Sequence, residues 1–321
     1  MVELDILKGG LRTTLDRTDL VGLGERYEGK VRDNYVRAGR RWLVATDRLS
    51  AFDRVITTLP FKGQVLNRLS AFWFQRTATL APNHLISVPD PNVSEVVECT
   101  TLPVEMVVRA YLTGVTDTSI WVAYERGDRV FCGHALPEGL RKNDPLPGPL
   151  VTPSTKAPKG EHDRSVSRAE LLAEGKMSAL DFDTAAAMCM RLFQDGARHL
   201  ATRGLILVDT KYEIGKKRDG TIVVIDEMHT PDSSRIWFRE RYADAMARGA
   251  DPEGLDKEYV RRWLKSVGYA GEGALPVVPD EVRIEAARRY IEAFELITGE
   301  TFTPDTEDPL PRMRRNLGLG A

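Results

Sequence analysis

The segment Leu205-Ile206-Leu207-Val208-Asp209-Thr210-Lys211-Tyr212-Glu213-Ile214, followed after a Lys/Arg/Asp/Gly turn by Thr221 to Met228, decides how this chain is read. Strand alternation sends Ile206, Val208, Tyr212 and Ile214 to one face and leaves Asp209, Lys211 and Glu213 on the other. The second strand carries the apolar run Ile222-Val223-Val224-Ile225, which ends in Asp226 and Glu227. If position 215 pairs with 220 across the turn, Asp226 falls opposite Asp209 on the polar face. Carboxylates gathered on neighbouring strands repel unless a cation lies between them. A hard ion such as Mg²⁺ takes one or two carboxylates plus phosphate oxygens and water, which suits Glu213 and Asp226. Lys211 then faces phosphates or a substrate carboxylate. The ordinary alternative is a solvated sheet face with a Lys–Glu cross-strand pair. Against it, a carboxylate that closes a buried strand near Arg235 is costly without a partner.

Working outward, a helix is expected from Asp181 to about Arg203, stopped by Gly204. A second runs from Glu281 to Ile297, with Asp280 as N-cap and Gly299 as stop. Towards the N-terminus, Tyr27 to Val36 leads through Ala38-Gly39-Arg40 into Arg41 to Thr46, the pattern of a hairpin. Leu66 to Leu80 has helical spacing and Leu102 to Leu112 reads as a strand. Pro137 to Arg164 reads as a long loop of the kind that is usually functional or disordered. Sheets in both halves with helices against them predict an α+β, two-lobed protein. The lobe boundary is expected at 106/107, giving a β-rich lobe over 1–106 and an α+β lobe over 107–321 that ends in a helical extension.

The 321 residues are 42% hydrophobic and 29% charged, with 45 basic and 47 acidic side chains and a net charge of −2. That balance argues against disorder and against a protein that coats nucleic acid. Cys99, Cys132 and Cys189 lack disulfide or zinc spacing, so reduced thiols in a cytoplasmic protein are expected. No apolar run reaches the roughly 20 residues of a membrane helix, and Met1 to Lys8 has no export pattern. Neither nucleic-acid nor membrane partners are expected, and the oligomeric state stays open.

Other short stretches carry chemistry. Glu28-Gly29-Lys30-Val31-Arg32-Asp33 places a glycine beside a flexible cation between extended flanks. This suits a hairpin closing over nucleotide phosphates as well as an ordinary surface turn, and it is not a Walker A loop. Val151-Thr152-Pro153-Ser154-Thr155-Lys156-Ala157 with Gly160-Glu161-His162-Asp163 suits either an anion-binding loop or a polar surface loop, and the role of His162 stays open. Thr46-Asp47-Arg48-Leu49-Ser50-Ala51-Phe52-Asp53 and Val107-Val108-Arg109-Ala110-Tyr111-Leu112-Thr113-Gly114 put polar groups just past strands. Arg109 suits a bidentate phosphate clamp or a strand-end salt bridge.

Taken together, these residues resemble the SAICAR synthetase (phosphoribosylaminoimidazole-succinocarboxamide synthase) family. The matching elements are Gly29-Lys30-Val31-Arg32-Asp33, Ser50-Ala51-Phe52-Asp53, Lys62-Gly63-Gln64, Val108-Arg109, Ser154-Thr155-Lys156-Ala157 with Gly160-Glu161-His162-Asp163, Asp209-Thr210-Lys211-Tyr212-Glu213, and Asp226-Glu227 with Pro231-Asp232-Ser233-Ser234-Arg235. They occur in the family's order over about residues 25 to 240. The resemblance implies a fold related to ATP-grasp enzymes. It also implies a ligase that uses ATP and Mg²⁺ to join L-aspartate to the carboxylate of carboxyaminoimidazole ribotide, in purine synthesis, through an acyl phosphate.

Carried over residue by residue, Lys30 and Arg32 lie in a loop covering the phosphates. Glu105-Met106-Val107 is the hinge whose backbone meets adenine. Glu213 and Asp226 hold the metal, and Arg109 holds the ribotide phosphate. Ser50, Asp53, Ser154, Lys156, Asp209, Lys211 and Arg235 line the pocket of the ribotide and the incoming amino acid, with Asp209, Lys211 and Arg235 closest to the chemistry. The family's usual Arg-Gly-Tyr-Leu-Thr-Gly-Ser reads Arg109-Ala110-Tyr111-Leu112-Thr113-Gly114-Val115 here, so a phosphate-site serine is replaced, and Thr116, Thr118 or Ser119 is expected to supply the hydroxyl. The part beyond about Ala243 carries none of the family's site motifs and is expected to be scaffold. A small-molecule kinase and a non-catalytic nucleotide-binding module are the rival readings.

Overall fold

The computed structural model describes residues 2–52, 54–156, 163–255 and 258–320. Its strands are β1 (Glu25–Glu28), β2 (Arg32–Arg37), β3 (Arg40–Ala45), β4 (Arg48–Ala51), β5 (Arg54–Thr58), β6 (Leu85–Asp90), β7 (Val93–Val97), β8 (Thr100–Tyr111), β9 (Val130–Phe131), β10 (His134–Ala135), β11 (Pro145–Val151), β12 (Ser154–Thr155), β13 (Leu205–Lys216), β14 (Ile222–Ile225) and β15 (Ser234–Phe238). Its helices are α1 (Leu4–Gly10), α2 (Lys62–Arg76), α3 (Ile120–Glu125), α4 (Arg168–Ala173), α5 (Ala179–Thr202), α6 (Arg239–Ala247), α7 (Glu258–Ser266), α8 (Asp280–Thr298) and α9 (Pro309–Asn316). No described helix is long and apolar enough to cross a membrane.

Two antiparallel sheets divide the molecule, as an α+β reading requires. One has the order β1-β2-β3-β7-β6. The other runs β11-β8-β13-β14, with β12 on β8 and β15 on β13. The long strands β8 and β13 are its spine, and α5 packs Phe182, Met188, Leu192 and Phe193 against them in the main core. The first sheet ends at Val97, and β8 belongs to the second sheet from Thr100 onward. The expected lobe boundary at 106/107 therefore falls inside a strand.

Several expectations shift in the structure, each for a local reason. The helix read over 66–80 runs Lys62–Arg76. It starts after Phe61, whose φ of 64° is left-handed, and it ends where the Thr77 hydroxyl donates back to the Trp73 carbonyl at 2.7 Å. Leu80 thus lies beyond it. Asp280 is the first residue of α8 rather than its cap, which is Pro279; there its charge meets the positive end of the helix. The stretch read as a loop over 137–164 holds β11 and β12, which pair with β8.

In β13 the alternation breaks at a bulge between Leu207 and Asp209. Leu207 pairs with Ile236 on the core side, so Ile206 faces outward beside Trp237 instead of sharing the face of Tyr212. Downstream of the bulge the reading holds, with Tyr212 and Ile214 in the core. The β13–β14 hairpin pairs Glu213 with Ile225 and Gly215 with Val223, so Asp226 does not stand opposite Asp209.

The C-terminal helices brace both lobes. Arg312 of α9 is fully buried and holds Asp90 through two bonds of 3.0 and 3.1 Å and Asn92 at 2.5 Å, clamping the β6–β7 turn. From α8, the Tyr290 hydroxyl donates to Asp232 at 2.5 Å.

Candidate active site

The site lies where β8, and β13 beyond its bulge, turn their odd-numbered residues away from the core. Arg109 stands opposite Asp209 and Glu105 opposite Glu213. Asp209 also faces Arg235 across β15. Arg109, Ser154, Asp209, Lys211 and Arg235 together line one cavity of about 200 Å³, with Thr116, Thr118 and Ser119 at its side. Asp209 is its hinge of charge, accepting from Arg235 at 2.5 Å and from Arg109 at 3.5 Å. Arg109 also donates to the Thr152 hydroxyl at 3.0 Å, so its fork is fixed before any ligand arrives. Burial lowers its pKa.

Lys211 donates to Glu105 at 2.6 Å and stands 3.9 Å from Glu213. Lys156 donates to Glu213 at 2.5 Å. Burial pushes the Glu213 carboxyl up, but Lys156 and Lys211 outweigh it and the net shift is downward. Asp226 behaves differently. Burial, joined by the nearby Glu213 and Glu227, pushes its pKa up to about 6 despite the pull of Arg32. Two neighbouring acids pushed in opposite directions are common where a site must take up positive charge.

Asp226 reaches this place by a backbone turn. Its φ of 65° is left-handed, which swings the carboxylate off the line of β14 and towards Glu213, and the two side chains line one slot. The turn is held from behind by Lys62 on Asp232 at 2.9 Å, by Thr230 donating to Glu227, and by a 2.6 Å bond between Tyr212 and the buried His229. A strained conformation at a site persists when its surroundings over-determine it.

The glycine hairpin reaches the same acids. Gly29 closes the β1–β2 turn by donating to the Arg32 carbonyl at 2.8 Å. Arg48 supports that turn from beneath, donating to the carbonyls of Lys30 and Gly29 at 3.1 Å and to Asp33 at 2.9 Å. Arg32 then bridges the lobes, at 2.9 Å from Asp226 and 3.0 Å from Glu227.

The slot that Glu213 and Asp226 share lies between the two sheets, where the first ends and the second begins. Val97, Cys99, Thr101, Ile225 and His84 also line it. His84 is buried and its Nε2 has no hydrogen-bond partner. Burial drives its pKa down to about 3, so the ring is neutral. A lone histidine without a motif gave no sequence signal, whereas Arg48 lies inside the stretch 46–53 that the sequence singled out, without a role of its own.

Not every expected residue arrives. Met106 is fully buried in the core. Its strand is paired with β13 on one side and with β12 and the chain at Thr152 on the other, so this backbone is not available to a base. The chain crosses from the first sheet to the second between Val97 and Thr100 instead. Ser50 is buried in β4 opposite Val55 and does not line the cavity. Asp53 lies outside the described residues, as do Ala157, Gly160, Glu161 and His162. Val115 faces a neighbouring cavity, while the Ser119 hydroxyl is turned to the Thr116 carbonyl at 2.6 Å.

The donor set suits a hard divalent ion. Among the described residues no three acidic, histidine or cysteine side chains close on one point. An ion would therefore take carboxylate oxygens from Glu213 and Asp226 and complete its shell with phosphate and water, the habit of Mg²⁺.

Residues 25–277 match the family described as SAICAR synthetase. A putative phosphoribosylaminoimidazole-succinocarboxamide synthase 2 of Mesorhizobium japonicum is 47% identical over 294 residues, covering 91% of this chain and 94% of the relative. A phosphoribosylaminoimidazole-succinocarboxamide synthase of Legionella pneumophila (strain Lens) is 48% identical over 285 residues, covering 88% and 90%. The SAICAR synthase of Saccharomyces cerevisiae, solved in complex with SAICAR, superposes with a TM-score of 0.77 at 29% identity over 91% of this chain and 100% of that one. A SAICAR synthetase in complex with ADP shares the fold, at a TM-score of 0.66 and 24% identity over 87% of this chain and 100% of that one.

Proposed function

The chain belongs to the SAICAR synthetase family, and from that premise we propose that it joins L-aspartate to the carboxylate of carboxyaminoimidazole ribotide at the expense of ATP, in the cytoplasm. The observation that carries the reading is the junction of two sites. A cation-lined cavity holding Arg109, Asp209, Lys211 and Arg235 meets a slot ending in Glu213 and Asp226, and Lys211 stands between them.

The adenine enters the slot at Val97–Thr101, where the unpartnered His84 Nε2 meets the base. The triphosphate runs beneath the Gly29-Lys30 turn, with Lys30 and Arg32 as covering cations. Mg²⁺, held by Glu213 and Asp226, supplies charge neutralisation to the phosphates. Arg32, Lys156 and Lys211 stand on these acids, so they are the groups that exchange partners when the nucleotide binds.

The ribotide lies in the cavity, drawn by Arg109 and Arg235, with Ser154 at its wall. A carboxylate is a poor electrophile. Transfer of the γ-phosphoryl to it gives an acyl phosphate and ADP. The aspartate amine then attacks the acyl carbon, the C–O bond to phosphate breaks, and SAICAR and inorganic phosphate leave. Lys211 and Arg235 align the reacting groups and stabilise the charge that develops. Asp209 accepts hydrogen bonds from both arginines and is placed to take the amine proton, either directly or through water.

The test supplies ATP, Mg²⁺, carboxyaminoimidazole ribotide and L-aspartate to the full chain. ADP release that requires both substrates, with a matching succinylated product, is expected. ADP formed with the ribotide alone and no aspartate incorporated supports a kinase, and nucleotide binding without turnover supports a binding module.

A further inference from the structure

The C-terminal extension was expected to be scaffold, yet α7 contributes to a second cavity beside the first. This cavity, of about 180 Å³, has a buried floor of Thr113, Asn143 and Trp237. Its walls carry Lys142, Arg235, Arg262 and Lys265. The one acid among its lining residues, Asp251, is already engaged by Lys142 at 2.7 Å and by the Asn143 amide at 3.0 Å. Burial pushes the Asp251 carboxyl up, but the contacts of Lys142 and Asn143 and the nearby Lys265 outweigh it and the net shift is downward. Lys142 is matched by Asp251 and Arg235 by Asp209, so Arg262 and Lys265 give the concave surface its positive charge, with room for a small anion.

Arg235 is the wall between the two cavities. On one side it donates to Asp209, and on the other it lines the basic cavity. The loop 113–119 is divided in the same way. Thr113, Gly114 and Val115 face the basic cavity, while Thr116, Thr118 and Ser119 face the reaction cavity. The Val115 side chain has no hydrogen bond to offer an anion, and the Ser119 hydroxyl is turned to the Thr116 carbonyl. A dianion at this corner must be held by charge from another element, and α7 is the element that supplies it.

We propose that Arg262 and Lys265 of α7 form, with Arg235, the anchor for the phosphate monoester end of the ribotide, in the role that a serine at position 115 would otherwise fill. This rests on the ligase reading above, because that reading puts a ribotide in the adjoining cavity. The imidazole carboxylate then lies near Lys211, while the ribose passes Arg235 and its phosphate enters the basic cavity. Guanidinium and ammonium groups bind phosphate through charge-assisted hydrogen bonds, and arginine adds a planar fork. Arg262 and Lys265 are positioning residues for binding and take no part in phosphoryl transfer.

The experiment uses the full chain and calorimetric titration with ribose 5-phosphate, which needs no turnover. Wild type should bind ribose 5-phosphate and not ribose. R262Q/K265Q should weaken that binding at least about tenfold, and V115S in the same background should recover part of the loss. In turnover, R262Q/K265Q should raise the ribotide KM by a similar factor with the ATP KM unchanged. Both substituted side chains are exposed on α7, so the fold is not at stake. Unchanged affinity in R262Q/K265Q, no binding by wild type, or a loss confined to L-aspartate titrated alone would each overturn the assignment. Absence of turnover in wild type would count against the ligase reading, while the ribose 5-phosphate titration still decides this one.

Discussion

Lys62 and Asp232 form an ion pair of 2.9 Å in which neither side chain meets solvent to more than 2%. The pair connects the first turn of α2 to the turn that carries Asp226 and Glu227. Tyr290 caps it from α8, its hydroxyl on Asp232 at 2.5 Å and its ring 5.3 Å from the Lys62 ammonium. Lys62→Met keeps the stem volume and removes the charge, leaving the Asp232 carboxylate without its main counter-ion. Breaking one half of a buried pair costs about 3–5 kcal/mol. For a chain of this size that lowers Tm by roughly 4–7 °C. The double variant Lys62→Met/Asp232→Asn removes both charges and leaves an amide oxygen for Tyr290, so it should be more stable than Lys62→Met alone. This non-additivity is what two groups in direct contact produce. The assay is thermal unfolding of wild type, both single variants and the double. A Tm drop of less than about 2 °C for Lys62→Met, or a double variant as damaged as the sum of its singles, would refute the reasoning.

Further expectations concern the site and its supports. His84→Phe fills the space of the ring but removes Nε2, and it should raise the ATP KM about tenfold or more while sparing the ribotide KM; equal effects on both would remove His84 from the base. Arg109→Ala should raise the ribotide KM far more than that of ATP, as read in parallel titrations of each substrate. Asp47 is buried, accepts from the N–H groups of Leu15 and Gly63 at 2.8 Å each, and is pushed by burial from 3.8 up to about 6. The folded state therefore holds this proton more tightly than the unfolded chain does. The contribution of Asp47 to stability is greatest below about pH 4 and falls by roughly 3 kcal/mol as pH rises to about 6. Subtracting the unfolding free energy of Asp47→Asn at each pH isolates that slope, and parallel curves for the two proteins would exclude it.

What could be read in the sequence was what depends on near neighbours. The glycine hairpin, the two long helices and the shared face of Asp209, Lys211 and Glu213 all follow from periods of two or 3.6. The bulge at Leu207–Asp209 did not, because it is set by pairing with β15, whose residues lie some 30 positions away. Asp226 was expected at the site through strand register. It gets there by a left-handed turn held by Lys62 and His229, contacts that no local pattern encodes. Met106 was expected at a hinge but lies buried in a strand paired on both sides, since only the assembled sheets show where one ends and the next begins. Arg262 and Lys265 fall in the part beyond about Ala243 that was expected to be scaffold, and only folding brings them to the cavity that Arg235 also lines.

The most direct test of the account is a crystal structure of the chain with Mg²⁺ and a non-hydrolysable ATP analogue. The account predicts an ion with oxygens of Glu213 and Asp226 at about 2.0–2.1 Å, the base against His84, and Lys211 turned towards the γ-phosphate. A nucleotide bound elsewhere, with these two acids still paired to Arg32 and Lys156, would contradict it.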